Sequence, residues 1–143
     1  MQVPIRRVDK DLALPEYKTA GAAAMDCVAR VDTVVPPRGT AFVPLNIALK
    51  PPRGHFVLLA ARSSLHKRGL VMANGIGIGD EDFAGDNDEY QAALYNVTDA
   101  PVEVKRGDRI VQLLILPFDR VEWDEVGTLG SPDRGGFGTT GIA

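Results

Sequence analysis

The tetrapeptide Pro-Pro-Arg-Gly occurs twice, at residues 36–39 and 51–54, and encloses the apolar run TAFVPLNIALK. Proline fixes φ and removes a backbone donor, and glycine reverses a chain at little steric cost, so no long helix runs through this part of the chain. Pro at the second and Gly at the fourth position of each tetrapeptide suit a type I turn, which gives strand, turn, strand, turn, strand across residues 34–61. Val-, Ile- and Leu-rich stretches continue the rhythm in QAALYNV (91–97), VEVK (102–105) and RIVQLLILPF (109–118), with KRGD as the turn between the last two. The pattern predicts an all-β sandwich or barrel.

Two segments depart from it. In RSSLHKRG (62–69), Ser63 is placed to cap a short helix and Gly69 to end it in a left-handed conformation. From Gly127 onward the chain is rich in glycine and has no apolar period, so residues 127–143 read as a mobile arm appended to a domain of residues 1–126. RIVQLLILPF is apolar on both faces of any strand, and the face that a small barrel does not bury implies a partner subunit.

A chain of 143 residues with a net charge of -3 fits one domain and carries no basic stripe, which excludes polymeric nucleic acid as a partner. Cys27 is the only cysteine, so neither an internal disulfide nor a zinc cluster holds the fold, and a reducing, cytoplasmic compartment is expected. The longest apolar run, VQLLIL (111–116), is too short to span a membrane, and MQVPIRRVDK lacks the apolar segment of a signal peptide.

The chemistry concentrates in NGIGIGDEDFAGDNDEY (74–90), four glycines and six acidic residues in seventeen positions. As a calcium loop starting at Asp80 it fails, because Ala84 and Gln91 stand where an oxygen ligand and a bidentate glutamate are required. Glycines at 75, 77 and 79 have the wrong spacing for a dinucleotide fingerprint. Read alone, the stretch is an exposed acidic hairpin. Elsewhere, Arg62 with Ser63 and Ser64, the segment GDRIVQ, and the glycine- and hydroxyl-bearing RGGFGTTG each offer anion contacts. Three such contacts beside a carboxylate loop point to a magnesium nucleotide.

Five segments in order, AAMDCVA (23–29), RSSL (62–65), NGIGIGDEDFAG (74–85), GDRIVQ (107–112) and RGGFGTTG (134–141), resemble the five motifs of the homotrimeric dUTP diphosphatase (dUTPase) family, over nearly the whole chain. The resemblance implies a jelly-roll or barrel protomer in a threefold homotrimer. The implied activity is hydrolysis of dUTP to dUMP and pyrophosphate with Mg²⁺, limiting uracil in DNA and supplying dUMP for thymidylate. It makes Asp80 the residue that orients the attacking water, and Asp26 the carboxylate that meets the metal through water. Arg62, Ser63, Ser64 and Gln112 fall to the phosphates, Asn74 and the backbone near Gly77 to the uracil edge, and Phe83 to the deoxyribose. In the arm, Arg134, Gly136, Phe137, Gly138 and Thr139 close over the nucleotide, in a site shared between chains. Arg109 takes a structural part.

The chain departs from the family pattern at Gly79, which replaces an apolar residue before Asp80 and is expected to loosen it. Arg134 stands closer to Phe137 than in the longer motif, and DNDE (86–89) reads as a solvated insertion or a second cation site. Two other functions remain open at this point. A dCTP deaminase of the same fold would use Glu89 as general base, and a catalytically weak relative would bind nucleotide or protein as its output.

Overall fold

The computed structural model of the chain describes residues 1–138. The strands are Ile5–Arg7 (β1), Met25–Val28 (β2), Thr33–Val35 (β3), Thr40–Pro44 (β4), Ile47–Leu49 (β5), His55–Ala61 (β6), Leu70–Met72 (β7), Gly77–Gly79 (β8), Gln91–Asn96 (β9), Val102–Val104 (β10) and Arg109–Pro117 (β11). All pair antiparallel, in small sheets ordered β1-β5, β10-β3, β2-β11-β6-β8 and β4-β9-β7. The sheets wrap one core, in which Leu45, Ile47, Leu70, Leu94, Ile110 and Leu113 are fully buried. Each such side chain contributes about 1.5–3 kcal/mol by leaving water. The all-β expectation holds, and alternation is cleanest in β9, where Ala92, Leu94 and Asn96 face inward.

Several local readings need correction. TAFVPLNIALK is two strands rather than one, because Asn46 adopts φ 69° between β4 and β5. Asparagine visits that conformation more readily than most residues, and here a distant segment holds its side chain: Asn46 Oδ1 accepts the Asp9 N–H at 2.6 Å while Nδ2 donates to Asp9 O at 2.9 Å. The two Pro-Pro-Arg-Gly turns differ from each other and neither is type I. The first closes with Gly39 N–H on Pro36 O at 3.0 Å and puts Arg38 at φ 52°; the second closes one residue later, His55 N–H on Pro52 O at 3.0 Å, with Gly54 at φ 74°. A positive φ at the third position excludes type I.

The helix is a single 3-10 turn, Leu65–Arg68, ended by Gly69 at φ 75° as expected. Its N-cap is Ser64, not Ser63, and that side chain makes no capping bond. The hairpin expected within residues 74–90 does not pair its own flanking strands: β8 pairs with β6 in one sheet, and β7 and β9 pair in another, so the chain turns a corner between β7 and β8. Beyond β11, residues 119–138 form no strand or helix, and Trp123 and Phe137 are fully exposed. Among the described residues no helix is long and apolar enough to cross a membrane.

Candidate active site

Two groupings collect the candidate residues. The first lies on one face of β2, β11 and β6. Asp26 and Gln112 are register partners, and Gln112 is in turn opposite Ala60, two positions before Arg62. Arg109 and Gln112 are three residues apart and would point to opposite faces of a regular strand. A register shift between Arg109 and Val111 inserts one residue and brings Arg109 to the Asp26 face. Asp26, with a side chain only 11% exposed, is gripped on both oxygens: Arg62 Nε donates to Oδ1 at 2.8 Å and Arg109 Nη1 to Oδ2 at 3.1 Å. Arg62 Nη1 also donates to Arg109 O at 3.2 Å, and Gln112 Nε2 to Ala61 O at 3.0 Å. One carboxylate between two guanidiniums leaves a net positive face with further N–H donors, suited to phosphate oxygens. Ser63 and Ser64 follow at its edge, exposed.

The second grouping is a cleft of about 370 Å³ at the β7–β8 corner, lined by Asn74, Gly77, Gly79, Asp80, Phe83 and Tyr90 with several neighbours. Gly75 turns the corner at φ 72°, its N–H on Met72 O at 3.1 Å, and Ile76 N–H bonds Asn74 O at 2.8 Å. Gly77 faces Leu59, where an added Cβ would sit 3.0 Å from Leu59 Cβ. Asp80 is exposed, and its carboxylate accepts no hydrogen bond among the described residues. Phe83 stands edge-on to Tyr90, ring centroids 5.1 Å apart at 90°. Burial pushes the Tyr90 phenol up to about 12, with the Asp80 and Asp88 carboxylates adding to the effect.

Gly79 does not loosen Asp80. It is buried in β8 opposite Val57, and a Cβ there would lie 2.5 Å from Tyr90 Cε1 and from its hydroxyl. The glycine makes room for a tyrosine. Nor is DNDE a merely solvated loop: Asp88 Oδ2 accepts the Gly85 N–H at 2.7 Å, and Glu89 takes a bidentate bond from Arg30, at 2.7 and 2.9 Å, plus the Asn46 N–H at 2.9 Å. No cluster of three metal-ligating side chains exists among the described residues.

The two groupings share no cavity. Asp80 follows Gly79, which is opposite Val57, and Arg62 lies five positions beyond Val57, just past the end of β6, about 16 Å at ~3.3 Å per residue. Arg134, Gly136, Phe137 and Gly138 lie in the arm and none of them lines the cleft; Thr139 lies outside the described residues.

The dUTPase family model matches residues 10–141. The chain belongs to the dUTPase family. The deoxyuridine 5'-triphosphate nucleotidohydrolase of Dictyoglomus turgidum is 40% identical over 149 residues, covering 99% of each chain. Among solved structures, a mutant of the Staphylococcus bacteriophage 80alpha dUTPase with dUpNHpp superposes with a TM-score of 0.86 at 20% identity, covering 99% of each chain. A mutant dUTPase from phage phi11 of S. aureus, described with a structural Mg(II) ion, gives 0.79 at 20% identity over 90% of this chain and 99% of that one. These two likenesses concern the fold.

Two residues make contacts in this dUTPase-family chain that linear pattern does not reveal. Arg109, to which the resemblance gives a structural part, is turned by the bulge onto the Asp26 carboxylate. Tyr90 carried a signal, since a glycine where the family has a branched side chain calls for a bulky neighbour to fill the space.

Proposed function

We infer that this chain is a dUTP diphosphatase: water attacks the α-phosphorus of dUTP, the bond to the β-phosphate breaks, and dUMP and pyrophosphate leave. The observation that carries the site assignment is the cleft itself, which brings a base-reading amide (Asn74), a bare backbone (Gly77), an aromatic wall (Phe83) and an unengaged carboxylate (Asp80) into one opening. A free carboxylate is what orienting and deprotonating a water requires. Asn74 and the corner backbone match the donor and acceptor edge of uracil, and cytosine would leave those groups unpaired at about 1–3 kcal/mol each. The Phe83 face leaves no space for a ribose 2′-OH.

The charged face binds the triphosphate. Asp26 fixes Arg62 and Arg109 so that their remaining N–H groups project as a preformed anion site, with Gln112, Ser63 and Ser64 beside them. Each Asp26 oxygen has spent one lone pair on a guanidinium and keeps another, so a single outer-sphere contact to hydrated Mg²⁺ suits this donor set better than a full protein cage. Bound there with the phosphates, Mg²⁺ would neutralise charge and polarise the α-phosphoryl group.

Because one chain's cleft and charged face stand apart, each active site takes its cleft from one chain, its charged face from a second and its arm, with Arg134, Gly136, Phe137, Gly138 and Thr139, from a third. This is the arrangement of a homotrimer, which we place in the cytoplasm. The apolar cavity of about 540 Å³ beside Leu114, Ile115 and Leu116 supports it as unfilled surface for a neighbouring subunit. The deaminase reading loses its base, since Glu89 is locked by Arg30 and Asn46. Purified protein with Mg²⁺ and dUTP, dTTP, dCTP or UTP separately should release pyrophosphate from dUTP alone and ammonia from none. Pyrophosphate from all four would sink the selectivity, none from dUTP would sink the enzyme, and ammonia from dCTP would restore the deaminase.

A further inference from the structure

Tyr90 cannot yield the space that Gly79 leaves it. The residue is 4% exposed, its backbone N–H is bonded to Ile47 O at 2.9 Å, and its carbonyl accepts the Leu45 N–H at 2.9 Å. Phe83 packs edge-on against the ring. Its hydroxyl is buried and has no hydrogen-bond partner among the described residues. Buried hydroxyls ordinarily find one, and phenylalanine would fill nearly the same volume without an unpaired oxygen. The same cleft contains the Asp80 carboxylate, an acceptor without a donor. Of the other carboxylates nearby, Asp88 accepts the Gly85 N–H and Glu89 is held by Arg30 and the Asn46 N–H. With its pKa pushed up to about 12, the phenol remains a donor throughout the ordinary working range.

We propose that Tyr90 is a positioning residue for dUTP hydrolysis: Gly79 makes room for the phenol, and with nucleotide in the cleft the hydroxyl donates to the Asp80 carboxylate, fixing the rotamer from which Asp80 orients water. This rests on the reading of Asp80 as the water-orienting group. The phenol does not touch the reacting atoms; it acts through Asp80, and through Phe83 it also braces the sugar wall.

Tyr90→Phe keeps the ring and removes only the oxygen. The expected result is a kcat for dUTP lowered about tenfold, a KM changed by less than about twofold, and a thermal midpoint equal to or above that of the parent. An unchanged kcat, or a raised KM with kcat intact, overturns the proposal. Gly79→Val alone should lower both the thermal midpoint and kcat, because its Cβ meets a fixed ring. Gly79→Val with Tyr90→Val should recover the midpoint yet keep the kcat deficit of Tyr90→Phe, and full recovery of kcat in that pair overturns the role of the hydroxyl. Asp80→Asn measured in parallel separates the two readings. Turnover in Asp80→Asn removes the role of Asp80 itself, whereas its loss beside a fully active Tyr90→Phe overturns the Tyr90 assignment alone.

Discussion

On the face of β2, β11 and β6, Asp26, Arg62, Arg109 and Gln112 are bonded to one another or to backbone, whereas at the β7–β8 corner Asp80 and Tyr90 line one cleft, and neither the carboxylate nor the hydroxyl has a hydrogen-bond partner among the described residues. The charged face is ordered by its internal ion pairs before a nucleotide arrives, so binding costs little rearrangement there. The cleft holds two groups whose hydrogen-bonding capacity is unspent, the exposed Asp80 carboxylate, open to water and substrate, and the buried Tyr90 hydroxyl. On the proposed assignment, binding and chemistry are divided between a satisfied region and an unsatisfied one.

The largest effect should come from the unsatisfied side. Asp80→Asn should lower kcat by about 10²- to 10⁴-fold, the range for loss of a positioned base, while a non-hydrolysable dUTP analogue still binds in calorimetry. Loss of binding together with turnover would break the division. On the satisfied side, Arg62→Ala should lower kcat/KM by about 10- to 100-fold, mainly through KM, as expected for removing charge-assisted bonds worth ~1.5–3 kcal/mol. A kcat effect as large as that of Asp80→Asn would mean that the charged face acts in the chemical step.

Glu89→Gln tests the cleft wall as structure. Its pair with Arg30 is mostly buried, with side chains 16% and 27% exposed, so the variant should lose about 1–2 kcal/mol in urea denaturation while keeping kcat within about twofold. Loss of kcat without loss of stability would return Glu89 to the chemistry. Phe137→Ala should raise KM for dUTP several-fold and leave the urea midpoint of the protein within about 0.5 kcal/mol, because the ring is fully exposed in the protomer. The smallest effect concerns Cys27, beside Asp26. Burial, with the Asp26 charge adding to it, pushes its thiol up to about 12. Its folded pKa lies above the unfolded one, so its contribution to stability is present below the unfolded pKa and is lost as pH rises through about 12. Native protein should resist thiol alkylation at neutral pH and react only on unfolding, as followed by mass spectrometry.

Much of this was legible in the residues themselves. Turn residues and β-branched runs determined an all-β chain, and five ordered segments carried the family resemblance together with Asp80, Asn74, Arg62 and Asp26. Linear pattern fixes these because strand period, turn chemistry and motif spacing act over a few residues. Where the sequence misled, a long-range contact decided. Asn46 breaks a strand because Asp9 bonds its side chain from far along the chain, and the two identical Pro-Pro-Arg-Gly turns diverge because their surroundings close them at different residues. A one-residue bulge turns Arg109 toward Asp26. Glu89 reads as solvated until Arg30 reaches it, and Gly79 reads as a loose hinge until Tyr90 is packed against it. By itself, then, the sequence determined the all-β class, the family and the carboxylate proposed to react, Asp80. Only the tertiary structure decided which acidic residues remain free, because an acceptor's availability depends on donors brought to it by folding, from positions that no local spacing reveals.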